Sequence, residues 1–102
     1  MMQIPLQAVP VQTVSVPLDG QSVQISLRQQ TNGLFVDVNN NGVDINVGVL
    51  ALNRNPLIRQ GYRGFSGQLM FRDTQGTSDP DYTGLAGRFE LIYLTEAEYA
   101  QL

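Results

Sequence analysis

The sequence predicts an all-β chain: a single-domain antiparallel β-sandwich or partly open β-barrel of about six strands, with a short C-terminal helical turn. Three observations predict it. Apolar residues alternate with polar ones over several runs of strand length, the pattern of a sheet with one buried face. Hairpin dipeptides separate those runs, at Asp19-Gly20, Asn32-Gly33 and the Asn39-Asn40-Asn41-Gly42 stretch, where the backbone must reach positive φ. Glycine- and proline-bearing segments set off the two later strands.

Taken in order, residues 12–16 alternate weakly and end at Pro17. Over 22–29 the alternation is clean, with Val23, Ile25 and Leu27 on one face and Ser22, Gln24, Ser26 and Arg28 on the other. In 34–39, Leu34, Val36 and Val38 alternate with Phe35, Asp37 and Asn39. Residues 43–52 place Val43, Ile45, Val47, Val49 and Ala51 together, opposite Asp44, Asn46 and Gly48, with Leu50 and Leu52 joining the polar side. Gly48 in mid-strand predicts a bulge or a close backbone approach.

Residues 53–64 break the pattern with Pro56, Gly61 and Gly64 and are expected to form a loop. A fifth strand over 65–73 puts Leu69 and Phe71 on one face and Met70 on the other. The stretch 74–87 is polar and turn-rich, and 88–94 is almost continuously apolar, as a strand buried on both faces would be. Thr95 and Glu98 stand at capping-box spacing, predicting a helical turn over the last residues.

The chain is expected to be one domain over residues 1–102, with residues 1–10 as an extended N-terminal arm. Pro5 and Pro10 favour extended backbone without ladder donors, suiting an edge strand or an arm that reaches a neighbour. In the second role Ile4, Leu6 and Val9 would stand exposed, awaiting a partner.

Composition narrows function. The chain has no cysteine and no histidine, which removes disulfides, thiolate metal sites and the commonest general base and transition-metal ligand. No nucleophile-with-base arrangement is visible, so the chain reads as a non-enzyme without a cofactor. All six basic residues are arginine, the cation enriched at protein interfaces. A net charge of -3 argues against binding nucleic acid through its phosphates. No stretch approaches the roughly 20 apolar residues that span a bilayer, and the first ten lack a basic signal-peptide start, so no membrane role is expected and a cytosolic origin is.

Two loops invite sharper readings. Asp73, Asp79 and Asp81 lie close together among hydroxyls, a possible calcium ligand set, but without the spacing of an EF-hand. They read first as caps of local backbone amides, and lack the opposing carboxylate that glycoside hydrolysis needs. Tyr62, Arg63 and Phe65 form an aromatic and basic cluster, which favours a protein interface over a core role, and both over a stacking platform for single-stranded nucleic acid. Arg59 in the first loop and Tyr82 in the second are further interface candidates.

A set of motifs stands in fixed order: Ile4-Pro5-Leu6, the central run Asn53 to Asp73 with Gly61-Tyr62 and the stretch from Gly64 to Leu69, Asp73-Thr74-Gln75-Gly76, Asp79-Pro80-Asp81-Tyr82, Gly84-Leu85 and the run from Arg88 to Leu94. Through these residues the chain resembles the phage baseplate plug family of cyanophages and other contractile-tailed phages. The resemblance implies a virion structural protein at the distal end of the tail tube, assembled in the host cytoplasm. It would close the channel through contacts with hub, tube and spike subunits, as part of a symmetric homo-oligomer. A stand-alone β module for carbohydrate- or calcium-dependent adhesion is the alternative.

Overall fold

In the computed structural model, residues 2–18, 20–58, 67–85 and 87–101 are described. They form seven strands in two antiparallel sheets. Strands β2 (Val11–Leu18), β3 (Gln21–Gln30), β4 (Gly33–Asn40) and β5 (Val43–Leu50) make a four-stranded meander in sequence order. Strands β1 (Met2–Ile4), β6 (Gln68–Asp73) and β7 (Phe89–Leu94) make the second sheet, in the order β1-β7-β6. No ladder joins β5 to β6 among the described residues, so the architecture is a sandwich rather than a closed barrel.

The meander forms because its turns are chemically suited to it. Asn41 and Gly42, at φ 54° and 85°, supply the two positive φ values that a tight β4–β5 hairpin requires. The inner face carries Val23, Ile25, Leu27, Leu34, Val36 and Val38. These bury against Leu69, Phe71, Phe89, Leu91 and Tyr93 of the second sheet. On the far side of that sheet Met70, Ile92 and Leu94 form a smaller buried cluster, so β7 is indeed buried on both faces.

Strand β5 departs from its expected alternation. Val36 pairs with Val49, but Val38 pairs with Asn46 and Asn39 with Asp44. Two residues are therefore inserted on the β5 side, one around Val47–Gly48 and one around Ile45. Gly48 takes φ 67°, as the sequence foretold, and the second bulge was not foreseen. Each inserted residue reverses the inside–outside phase. Val43 and Val47 consequently stand 60% and 67% exposed, whereas Asn46 is buried and donates through Nδ2 to the Leu57 carbonyl.

The described parts of the two loops, 53–58 and 74–85, are tied to the fold by backbone bonds and turns. Asn53 and Pro56 bridge β6 at Phe71 and Met70, and a 3-10 turn at Tyr82–Gly84 follows Asp81, which accepts from Thr83 N at 2.9 Å. The capping box at Thr95 and Glu98 is formed and starts helix α1 (Glu96–Ala100). Among the described residues no helix is long and apolar enough to cross a membrane.

Candidate interaction surface

The N-terminal segment is built into the fold. Met2–Ile4 pairs with β7 in the register Met2↔Tyr93, Gln3↔Ile92 and Ile4↔Leu91. Ile4 is 2% exposed, so the expectation that it waits exposed for a partner is corrected: its side chain completes the chain's own core. Leu6 is half-buried against the same core and Val9 is half-buried. Gln12 holds Gln7 in place, accepting its N–H at 3.1 Å and donating to its carbonyl at 2.6 Å. Of the two roles open to a proline-bearing start, the edge strand is the one taken up.

Arg59, Tyr62, Arg63 and Phe65 lie outside the described residues. Among the described residues on either side of them, Gln68 reaches back to Ile58. Its buried side chain accepts from Ile58 N at 2.7 Å and donates to the Ile58 carbonyl at 2.8 Å. Tyr82, in the other loop, packs half-buried on the core, and its N–H donates to Gln29 Oε1 at 3.1 Å.

The three loop carboxylates have separate duties. Asp73 is buried and takes a two-pronged bond from Arg88, Nε to Oδ1 at 2.9 Å and an Nη to Oδ2 at 2.8 Å. It also accepts from the backbone of Gln75 and Ser78 at 2.9 and 2.8 Å. Asp79 accepts from Asn53 N at 2.9 Å, joining the two loops, while Asp81 caps the 3-10 turn. Among the described residues no three acidic groups converge as a metal site. The cap reading is the one this geometry supports.

The Asp73 clasp has a pH consequence. The Arg88 hydrogen bonds hold its carboxyl well below the usual carboxylate range; burial opposes them and the Gln75 and Ser78 amides reinforce them. Because the folded value lies below the unfolded one, the clasp stabilises fully above the ordinary value of 3.8. That contribution fades as pH falls through the depressed folded value. Asp73→Asn is therefore expected to lower the melting temperature most near neutral pH, with the gap to wild type closing on acidification. Thermal melts from neutral to about pH 2.5 check this; a gap independent of pH would mean the ionised carboxylate is not what stabilises. The more exposed Arg72–Glu90 pair, at 3.3 Å, should matter less.

The surface that sequence reasoning did not assemble lies on the outer face of the meander. Cross-strand register places Val11 beside Arg28, Arg28 beside Phe35, and Phe35 beside Leu50. This row of Val, Arg, Phe and Leu crosses all four strands, with Val11 68% and Leu50 39% exposed. Arg28 is held by Asp37, two residues along β4 from Phe35, with both guanidinium contacts at 3.2 Å. Asp37 in turn accepts from Gly48 N at 2.6 Å, so the bulge helps aim the arginine. Elsewhere this face carries hydroxyl, amide and carboxylate groups, for example Thr13 and Ser26, 3.0 Å apart. An aromatic, an arginine and aliphatic side chains within a polar surround is the composition of an interface centre. The signal was present in the sequence: Phe35 and Leu50 fall on otherwise polar strand faces.

No curated protein matches the chain. The family model described as cyanophage baseplate Pam3 plug gp18 matches residues 1–96. With that match spanning nearly all of its length, and a two-sheet β fold beneath it, the chain belongs to the cyanophage baseplate plug family.

Proposed function

We propose that this structural protein of the phage tail baseplate plugs the distal end of the tail-tube channel, held by contacts with hub, tube and spike subunits. The family match over residues 1–96 carries the reading. The row Val11–Arg28–Phe35–Leu50 supports it, as an interface-type patch on a sheet face that needs no catalytic cleft. A plug acts by occupying space and giving way on triggering, so its chemistry is that of surfaces. On this reading Arg59, Tyr62, Arg63, Phe65 and Tyr82 provide further contacts, as do Leu6 and Val9 where their half-buried side chains reach the surface.

Electron microscopy of the intact phage tests the reading. Density for this chain inside the distal channel, with the outer sheet face against a neighbouring subunit, is the expected result. A well-resolved tail tip without the chain would sink it. A paired substitution, Val11→Ser with Leu50→Ser, is expected to change stability by no more than about 0.5 kcal/mol, as exposed positions do. It should nonetheless lower incorporation of the chain into particles, measured by quantitative immunoblot of purified virions. Unchanged incorporation would remove this row from the contact surface.

A further inference from the structure

Of the sheet edges among the described residues, three are closed or blunted. Strand β1 is three residues long and stops at Pro5. The β6 edge is occupied by the 53–57 segment, through Arg54 N to the Phe71 carbonyl and Leu57 N to the Leu69 carbonyl, both 2.8 Å. The β5 edge is bulged twice. Short strands, cover and bulges are the usual means by which proteins prevent edge-to-edge pairing.

Strand β2 has little such protection. It runs eight residues in unbroken register with β3, and its sequence VQTVSVPL carries no charge. The hydrogen-bond phase follows from Gln29 N, which donates to the Pro10 carbonyl at 2.8 Å. In an antiparallel ladder bonded pairs recur at every second residue, so Gln12, Val14 and Val16 bond inward to β3. The amides and carbonyls of Val11, Thr13 and Ser15 therefore point outward. Pro17 also falls on the outward side, where its missing N–H costs no β3 bond. Pro5, Leu6 and Gln7 line a groove with Gln12, Thr13 and Val14 but make no backbone bond to those outward groups.

We infer that the β2 edge pairs with the β2 edge of a second copy of this chain, antiparallel about a two-fold axis at Thr13. This register sets Thr13 opposite Thr13 of the second copy and Val11 opposite Ser15, and it leaves Pro17 outside the paired stretch. Each opposed pair exchanges two backbone bonds. Paired threonines are favourable neighbours across strands, and they extend the hydroxyl contact already made between Thr13 and Ser26. A copy of this chain suits the edge because two acidic molecules can meet along an uncharged strand without opposing like charges. With the other edges closed, the pairing ends at a dimer and does not propagate into a fibre.

The inference concerns the isolated chain and stands or falls apart from its place in the tail. Sedimentation of the full chain over about 1 μM to 1 mM is expected to show conversion from 11.2 kDa to twice that mass. Ser15→Pro deletes an outward N–H and, by symmetry, two bonds of the dimer. It should raise the dissociation constant roughly tenfold or more, while Ser15→Ala, which keeps the N–H, should not. Because the proline variant could fold poorly, single cysteines provide a second reading in a cysteine-free chain. Thr13→Cys, oxidised by diamide, should cross-link, since Cα atoms of a bonded antiparallel pair sit about 5.5 Å apart, within disulfide reach. Ser15→Cys, distant from its own copy in this register, should not. A monomer throughout, or a dimer in which Thr13→Cys fails to cross-link, overturns the assignment.

Discussion

Replacing Phe71 with alanine is expected to cost about 3–5 kcal/mol, the range for removing a fully buried aromatic side chain. Phe71 is wholly buried on the inner face of β6, paired with Leu91 and packed in the cluster that both sheets share. The site cannot collapse readily, because the Phe71 backbone is held on both sides. β7 pairs with it on one edge, and on the other its carbonyl accepts from Arg54 N at 2.8 Å. A domain of this size commonly has about 5–15 kcal/mol in total, so the variant should sit near the limit of folding. The melting temperature should drop by roughly 15 °C or more. Urea titration followed by far-ultraviolet circular dichroism measures the loss. A change under about 1 kcal/mol, typical of an ordinary substitution, would show that Phe71 is not central to the core.

The second large effect is expected at Gln68. Its side chain mimics a strand partner for Ile58, bonding both the N–H and the carbonyl, and its Oε1 also accepts from Leu69 N at 3.0 Å. Gln68→Ala leaves these buried groups without partners, at about 1–3 kcal/mol for each group orphaned, so roughly 3 kcal/mol or more in sum. The neighbouring Gly67 must itself stay glycine. It sits at φ 100°, and a Cβ there would lie 2.5 Å from the Leu94 carbonyl oxygen. Hydrogen exchange distinguishes this loss from simple core damage: the Ile58 amide should exchange faster than the amides of β3. If Ile58 stays as protected as in wild type, the side-chain clasp is not what holds that segment.

How much of this was legible in the sequence follows from how far each contact reaches along the chain. The hairpins of β2 to β5 could be read because strand, turn and next strand are neighbours, and Asn-Gly and Asp-Gly dipeptides encode the turn chemistry locally. The capping box at Thr95 and Glu98 was readable for the same reason. Ile4 was misjudged because its partner, Leu91, lies at the other end of the chain, and nothing near Ile4 announces it. The inward-facing Asn46 was missed because two inserted residues shift the phase of β5, and only one of them coincides with a glycine. The Asp73–Arg88 clasp and the Val11–Arg28–Phe35–Leu50 row depend on register between strands. Alternation specifies which face a residue takes but leaves its cross-strand neighbour open.

The pairing of β1 with β7 also governs how quickly the protein reaches its native state. The meander needs only short loop closures and can form hairpin by hairpin, whereas the second sheet must bring Met2 beside Tyr93, a distant encounter that carries a larger entropic barrier. Until that encounter succeeds, the core lacks the Ile4 side chain and the β7 edge that Met2–Ile4 covers stands open. Substitutions in β1 should therefore slow the last phase of refolding and leave the early phase untouched. Their mark would be a rise in aggregation during expression, out of proportion to any change in the equilibrium stability of the finished molecule.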